Sequence, residues 1–155
     1  MPKRKAKTKN QVSYWHKKLL GSGGVFSRYV RLRDSAAYLN KHPEINEIGS
    51  ACISCNVFYP IKSLQAGHFI TTQKTFIKYH EQNVHAQCYN CNINLKGNWT
   101  GYLEAMVARY GQLAVDNLMS IRNNPKKFNV IELEELYDRC VESIAELEKQ
   151  TGKVW

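Results

Sequence analysis

The stretch from Cys52 to Asn98 decides how this chain folds. It opens with C-I-S-C at Cys52–Cys55, continues with Q-A-G-H-F around His68, and ends with N-V-H-A-Q-C-Y-N-C-N at Asn83–Asn92 and L-K-G-N. Two Cys-x-x-Cys pairs, separated by about thirty residues, can close a tetrahedral four-thiolate zinc site. The predicted ligands of this structural zinc are Cys52, Cys55, Cys88 and Cys91.

The length and composition of the chain suit one globular domain. Its 155 residues are 43% hydrophobic, and no apolar run is long enough to span a bilayer. The charged N-terminus lacks the apolar core of a secretory signal, so we expect a cytoplasmic protein with reduced cysteines. We predict a flexible basic tail at 1–10 and a single domain at 11–155, made of a basic helical part (11–50), a zinc core (51–98) and C-terminal helices (99–155).

The positive charge is concentrated ahead of the cysteine pairs. The net charge is +9, and residues 1–50 hold eleven Lys and Arg against three acidic residues. Such a basic footprint favours a nucleic-acid partner, although basic tails and arginine-bearing helix faces are often only solvated. The side chains that we predict to contact DNA are Lys3, Arg4, Lys5, Arg28, Arg31, Arg33 and Lys96.

Hydrophobic spacing predicts an α+β protein in which helices surround a small hairpin. Residues 44–51 are expected to form a loop before the first cysteine pair. The expected strands cover 66–70 and 83–87, and a short helix follows from Cys88 or Asn90 to Leu95 or Lys96. The other predicted helices cover 12–20, 25–40 and 131–150, with two further helical stripes after Trp99. Cys140 lies in the last of these helices and is expected to be a buried apolar residue.

Three residues in the central stretch suggest phosphodiester hydrolysis when they are taken together. That reaction needs a general base to activate water and a cation to stabilise charge on the phosphate. A neutral histidine such as His68 suits the role of base, and the asparagines Asn83 and Asn92 offer oxygens suited to a hard cation. A lone histidine at the end of a strand is more often structural, so the prediction depends on the combination.

The order Cys-x-x-Cys, Gly-His-Phe, Asn, Cys-x-x-Cys-Asn resembles the zinc-containing branch of the HNH, or ββα-metal (His-Me finger), endonucleases. His68, Asn83 and Asn92 match the three letters of that signature. From residue 52 to about 118 the chain also resembles the NinG (Rap) recombination nucleases of lambda-like phages. The zinc spacing is similar to that of the endonuclease VII-type Holliday-junction resolvases.

These resemblances imply a ββα-metal core that is clamped by zinc and surrounded by N- and C-terminal helices. They imply that His68 is the general base, that Asn83 holds the His68 loop, and that Asn92 binds a catalytic Mg²⁺ or Mn²⁺. The implied substrates are branched recombination intermediates such as D-loops and Holliday junctions. The implied setting is a bacteriophage protein in its bacterial host, with recombination proteins as possible partners and a homodimer as one possible assembly.

One position departs from the HNH pattern. Many HNH enzymes place a metal-binding aspartate just before the first histidine, and this chain has Gly67 there. His85 is the first candidate for the missing ligand, because strand alternation places it on the same side as Asn83. Glu81 is the nearby carboxylate, although His85 can equally be a packing residue and Glu81 a solvated one. The departure leaves two rival functions open: a non-catalytic zinc module that binds DNA or protein, and a sequence-specific homing or restriction-type HNH nuclease.

Overall fold

The computed structural model describes residues 9–21, 23–71 and 76–153, apart from the side chain of Phe76. Five α-helices and four short strands are present within these residues. In chain order the elements are α1 (Lys9–Leu20), α2 (Val25–Lys41), β1 (Gly49–Ala51), β2 (Phe58–Pro60), β3 (Leu64–His68), β4 (Val84–Cys88), α3 (Trp99–Tyr110), α4 (Gln112–Ser120) and α5 (Val130–Thr151). Short 3₁₀ turns occupy Ile61–Ser63, Phe76–Tyr79 and Glu81–Asn83, and a one-turn π-helix covers Asn90–Asn94.

The strands form two separate antiparallel pairs. β1 pairs with β2 around the first cysteine pair, and β3 pairs with β4 ahead of the second. In the β3–β4 pair, Gln65 lies opposite Gln87, Gly67 opposite His85, and His68 opposite Val84. Because opposite residues of an antiparallel pair share a face, His68 and His85 project to different faces of the hairpin.

Helix α2 packs against α1, α5 and both strand pairs, and the apolar cores lie around it. One core joins α1, α2 and α5 to the hairpin through Leu19, Phe26, Val30, Tyr79, Val84, Leu133 and Cys140. A second core packs α3 and α4 beneath the segment after β3 through Phe69, Ile70, Ile77, Tyr102, Met106, Val115 and Leu118. Cys140 is 3% exposed, which confirms its predicted burial.

Local sequence explains where the C-terminal helices begin and end. Gly111 has φ of 83° at the junction of α3 and α4, a conformation that glycine adopts without a steric penalty. Helix α5 begins with a capping box in which Asn129 and Glu132 bond to each other's backbone N–H groups. Among the described helices, none is both long and apolar enough to cross a membrane.

The outer edge of β4, the edge that faces away from β3, is bonded by side chains of α2. The Asp34 carboxylate accepts a hydrogen bond from Ala86 N at 2.7 Å, and Arg33 donates to Val84 O at 2.7 Å. Asp34 and Arg33 also form a salt bridge at 2.8 Å. Backbone N–H of Ile53, within the first cysteine pair, donates to Ala86 O at 3.0 Å. An exposed strand edge would leave these groups unpaired, so α2 and the first cysteine pair complete the small sheet.

The structure confirms a mixed α+β protein and revises several boundaries. The predicted tail lies mostly outside the described residues, but α1 already begins at Lys9. β3 ends at His68, whereas the prediction extended the strand to residue 70, and the expected loop at 44–51 contains β1. The helix expected after the second cysteine pair is a single π-turn, Asn90–Asn94. That the hairpin and the turn form a ββα-metal core stays a prediction.

Substituting Asp34 tests the bonding of the β4 edge. Asp34 is 8% exposed, so Asp34→Ala leaves the Arg33 guanidinium without its partner and Ala86 N–H unpaired in the interior. Removing one partner of a buried pair costs about 3–5 kcal/mol. We expect a loss of this size in the free energy of unfolding, measured by urea denaturation. The control is Asp138→Ala on the exposed side of α5, which should change stability by less than about 0.5 kcal/mol. Equal losses in both variants would contradict the assignment.

Candidate metal centre and catalytic site

The four predicted zinc ligands converge in the structure. The sulfur atoms of Cys52, Cys55, Cys88 and Cys91 all lie within 4.8 Å of one another. Tetrahedral zinc with Zn–S bonds of about 2.3 Å would place them about 3.8 Å apart, so a small contraction closes the site. Cys55 is exposed and the other three are buried. The cluster can therefore hold a metal such as zinc, as the spacing predicted.

Two tight turns bring the sulfur atoms together. In the first, Asn56 N donates to Cys52 O at 2.9 Å and Cys52 N donates to Val57 O at 2.8 Å, with Asn56 at φ of 58°. Asparagine tolerates this left-handed conformation better than most residues. In the second turn, Cys88 ends β4 and Cys91 lies in the π-turn, whose end is closed by Gly97 N donating to Cys91 O at 2.8 Å.

Hydrogen bonds to sulfur support the assignment of these cysteines as metal ligands. Asn98 Nδ2 donates to Cys91 Sγ at 3.3 Å, and Cys91 N lies 3.4 Å from Cys88 Sγ. Burial raises the pKa of Cys91 to about 12 in the metal-free chain, so a bound cation has to supply the charge that keeps this thiolate ionised. Four thiolates are soft donors that suit zinc, and a filled tetrahedral site leaves no position for substrate.

His68 is the last residue of β3, and its ring orientation is fixed by one backbone contact. His68 Nε2 lies 2.9 Å from Lys78 O, and because a carbonyl only accepts, Nε2 carries the proton. The lone pair of the neutral ring is then on Nδ1. Burial lowers the pKa of His68; the bond to Lys78 O offsets this in part, and the nearby Lys78 charge adds to the lowering. His68 is therefore a neutral imidazole at neutral pH.

Asn83 holds the segment that follows His68. Its Oδ1 accepts from Ile70 N at 2.8 Å, and its Nδ2 donates to Ile70 O at 3.0 Å and to Ile77 O at 3.1 Å. The side chain is 0% exposed, so these bonds satisfy an amide that burial would otherwise penalise. These bonds join Ile70 to Ile77 within the segment between His68 and β4. A role for Asn83 in catalysis stays a prediction.

The structure corrects the prediction that His85 binds the catalytic cation. Tyr102 O–H donates to Gly67 O at 2.8 Å, so its single proton is used and His85 Nδ1, 3.0 Å away, must donate to Tyr102. His85 Nε2 then accepts from Tyr110 O–H at 2.7 Å. Burial, followed by the charges of Arg33 and Arg109, lowers the pKa of His85 to about 2. Both ring nitrogens are engaged, so His85 is a buried structural residue that links α3 to the hairpin.

Asn92 is held against the hairpin by one side-chain hydrogen bond. Its Nδ2 donates to Gln65 Oε1 at 2.8 Å, and Gln65 shares a face with Gln87 and Gly67. No hydrogen bond joins His68 to Asn92 within the part of the chain that the structure describes. That His68, Asn83 and Asn92 form one site stays a prediction. The alternative ligand, Glu81, is exposed.

The arginines predicted to contact DNA make contacts within the protein. Arg28 pairs with Glu148 at 2.7 Å, Arg31 donates to Ser27 O at 3.1 Å, and Arg33 bonds to the β4 edge. Arg33 is 20% exposed, and its guanidinium also donates to Glu81 O, so its evident role is structural. Lys96 is exposed at the end of the second cysteine turn. Lys3, Arg4 and Lys5 lie outside the described residues, and contact of the whole set with DNA stays a prediction.

The structure adds one cation that the sequence analysis did not single out. Lys78 supplies the carbonyl that orients His68, and its charge lowers the pKa of both His68 and His16. Its own pKa is lowered by burial. Lys78 lies in the 3₁₀ turn Phe76–Tyr79, and only its local hydrogen bonding reveals its position next to the histidine.

A large open cleft lies elsewhere on the molecule. It encloses about 1020 Å³ between α2, the first cysteine turn and α3, and carries Lys41, Arg109 and Glu104 on its walls. His68, Asn83 and Asn92 do not line it. Cavity size alone therefore does not identify the candidate catalytic residues.

Sequence similarity links the chain to a known protein family. The model of the family described as "Bacteriophage Lambda NinG protein" matches residues 1–150. The chain belongs to the NinG family. Relatives named "Protein ninG" include those of Escherichia phage lambda, 37% identical over 73 residues, and Salmonella phage P22, 36% identical over 70 residues.

The curated NinG relatives are matched over only part of their length. The lambda alignment covers 46% of this chain and 35% of the relative, and the P22 alignment covers 44% and 34%. The chain thus aligns with about a third of each of these NinG proteins. No solved structure matches the chain. These matches show family membership.

Metal analysis tests the cysteine cluster. We expect about one zinc per chain in the purified protein, released by a thiol-reactive mercurial and counted with a chromogenic chelator. Cys88→Ser should lose the metal and much of the folded structure, because three thiolates bind it less tightly and Cys88 anchors β4. The matched control is Cys140→Ala, which removes a buried thiol outside the cluster and should keep full zinc content. Zinc retained by Cys88→Ser would contradict the assignment.

The protonation state of His68 can be measured directly. In ¹⁵N-labelled protein the His68 imidazole should titrate with a midpoint below 6.5, because burial disfavours its charged form. Its nitrogen shifts should report the Nε2–H tautomer at neutral pH, as donation to Lys78 O requires. The signal is assigned by its loss in His68→Gln among the five histidines. A midpoint above 6.5, or an Nδ1–H tautomer, would disprove this description of the base.

Proposed function

We propose that this NinG-family protein is a metal-dependent DNA endonuclease of the HNH type, acting on branched recombination intermediates. The observation that carries the proposal is the fixed orientation of His68. Its Nε2–H is bonded to Lys78 O, which leaves the Nδ1 lone pair available as a base. A lowered pKa keeps the ring neutral at neutral pH, the state that a general base requires.

The surrounding residues support the same role. Asn83 bonds the two ends of the segment that carries Lys78, so the carbonyl that orients His68 is itself held in place. The cysteine cluster fixes the far end of β4 and the π-turn that carries Asn92. A catalytic group positioned by buried hydrogen bonds avoids the cost of ordering itself during the reaction.

In the proposed reaction, His68 Nδ1 accepts a proton from water as the water oxygen forms a bond to phosphorus. The P–O bond to the neighbouring sugar breaks, and the departing oxygen takes a proton from solvent. The imidazolium then returns its proton to solvent, so the net reaction consumes one water per phosphodiester. Protonated Lys78, next to His68, is placed to attract the phosphate before this step.

A divalent cation completes the proposed site. Asn92 is the side chain that would hold it, through its amide oxygen, which is a hard donor suited to Mg²⁺ or Mn²⁺. When bound, such a cation stabilises the negative charge on the phosphate and the leaving oxygen. Asn92 lies against Gln65 on the hairpin, which limits its side-chain freedom before the cation binds.

Branched DNA is proposed as the substrate from family resemblance and from charge. The net charge of +9 suits a polyanion, and most of the excess lies in residues 1–50. The resemblance to recombination nucleases and Holliday-junction resolvases favours junctions and D-loops over linear duplex. Cutting two strands of a junction needs two active sites, so we further propose that the protein acts on junctions as a homodimer.

Cleavage assays test the proposed activity. End-labelled four-way junction, D-loop and linear duplex are incubated with the zinc-loaded protein in Mg²⁺ or Mn²⁺. We expect cleavage of the branched substrates and at least about a hundredfold loss of rate in His68→Ala with binding retained, because a positioned general base contributes about 10²–10⁴-fold. His42→Ala is the matched control; this histidine is 41% exposed at the end of α2 and should not affect the rate.

Each of the other outcomes would indicate a different function. Tight binding of all three substrates without cleavage would mean that the chain is a non-catalytic zinc module. Cutting of linear duplex at one sequence would indicate a homing or restriction-type nuclease. Cleavage that survives His68→Ala would remove His68 from the role of base while leaving the nuclease assignment in place.

A further inference from the structure

Gln87 occupies the space that a side chain at position 67 would need. A Cβ atom built on Gly67 would lie 2.0 Å from Gln87 Oε1 and 2.9 Å from Gln87 Cβ, both inside any normal contact distance. In the HNH pattern this position carries the metal-binding aspartate. Gly67 therefore does more than remove a side-chain ligand. Because it has no side chain, it leaves room for the amide of Gln87 from the neighbouring strand.

The orientation of the Gln87 amide is fixed by its partners. Gln87 Nε2 lies 2.6 Å from Gly97 O and 2.7 Å from Ser54 Oγ. A carbonyl only accepts, so the nitrogen must face Gly97 and the amide cannot be flipped. Oε1 must then point towards the space above Gly67.

The oxygen of Gln87 is buried and lacks a hydrogen-bond partner. The side chain is 0% exposed, and Oε1 makes no hydrogen bond among the residues that the structure describes. Buried polar atoms are nearly always paired, so an orphaned acceptor held by two bonds at its other end calls for a ligand. A cation, which accepts an electron pair, would satisfy the Gln87 oxygen.

The oxygen lies on the same face of the hairpin as the other amides. Gln65 is directly opposite Gln87, and Asn92 Nδ2 bonds to Gln65 Oε1 at 2.8 Å. Three carboxamides thus gather on one face, next to the glycine. Their oxygens are neutral hard donors of the kind that hold Mg²⁺, Mn²⁺ or Ca²⁺ together with water.

We propose that Gln87 supplies the side-chain oxygen that an aspartate at position 67 supplies in other HNH enzymes, so that Gln87 and Asn92 hold the catalytic cation together. The catalytic role of this cation rests on the proposed function. A neutral ligand in place of a carboxylate leaves more net positive charge at the site. Affinity for the cation should therefore be weaker than in an aspartate-bearing site and should depend more on bound phosphate.

Binding of Mn²⁺ to the zinc-loaded protein, without DNA, tests the inference. The loss of the free-ion EPR signal reports bound Mn²⁺, and the thiolate cluster prefers zinc and does not compete for the ion. Gln87→Met keeps the length of the side chain and removes the oxygen, and it should weaken Mn²⁺ binding by at least about tenfold. The matched control is Gln112→Met at an exposed glutamine of α4, which should leave binding unchanged.

Substitutions at both Gly67 and Gln87 distinguish a role of Gln87 as a cation ligand from a role in packing. Gly67→Asp alone collides with Gln87 and should bind Mn²⁺ poorly. Adding Gln87→Gly frees the space, so the double variant should bind Mn²⁺ at least as tightly as the wild type. Zinc content and circular dichroism confirm that each protein is folded.

Two results would overturn the inference: wild-type affinity in folded Gln87→Met, or no Mn²⁺ binding by the folded double variant. Absence of Mn²⁺ binding by the wild type would overturn it as well. The DNA assays are independent of this readout. A protein that binds Mn²⁺ through Gln87 and cuts no DNA would refute the proposed nuclease and leave the cation site standing, whereas a nuclease unaffected by Gln87→Met would do the reverse.

Discussion

The bonding of the outer edge of β4 is the constraint on which the rest of the molecule depends. A two-stranded hairpin is marginal by itself, and here its free edge is completed by the Arg33–Asp34 pair of α2 and by the backbone of Ile53. The same strand ends in Cys88 and carries His85 and Gln87. Much of the candidate site is therefore positioned by one strand whose two edges are both bonded.

This arrangement divides the central stretch between two kinds of donor. Sulfur atoms gather at one end of the hairpin, where they suit a closed metal site. Oxygen and nitrogen donors lie along the strands, with His68 at the end of β3 and the amide of Asn92 beside the Gln65–Gln87 pair. If the proposed cation binds to these amides, it and zinc would not exchange places, because each set of donors disfavours the other ion.

The sequence predicted the part of the site that depends on the spacing of cysteines along the chain. It did not predict the contacts that depend on strand register and on which helices pack beside the hairpin. Two Cys-x-x-Cys pairs were enough to predict the sulfur cluster. Strand alternation suggested His85 as a ligand, but it could not show that Tyr102 and Tyr110, from a later helix, engage both ring nitrogens. The Gln87 oxygen above Gly67 becomes visible only when the pairing of β3 with β4 is known. The arginines of α2 looked like a solvated or DNA-binding face because sequence gives no sign of which strand edge lies beside them.

The chain of hydrogen bonds from Tyr110 through His85 and Tyr102 to Gly67 has a consequence for how the protein is made. Helix α2 leaves the ribosome before β4, so the Asp34 carboxylate is ready when Ala86 emerges. The partners of His85 are synthesised later, and until α3 appears both nitrogens of a side chain destined for the interior remain unpaired. The bonds of His85 that join the hairpin to α3 therefore form only after the tyrosines of α3 have been synthesised and have docked.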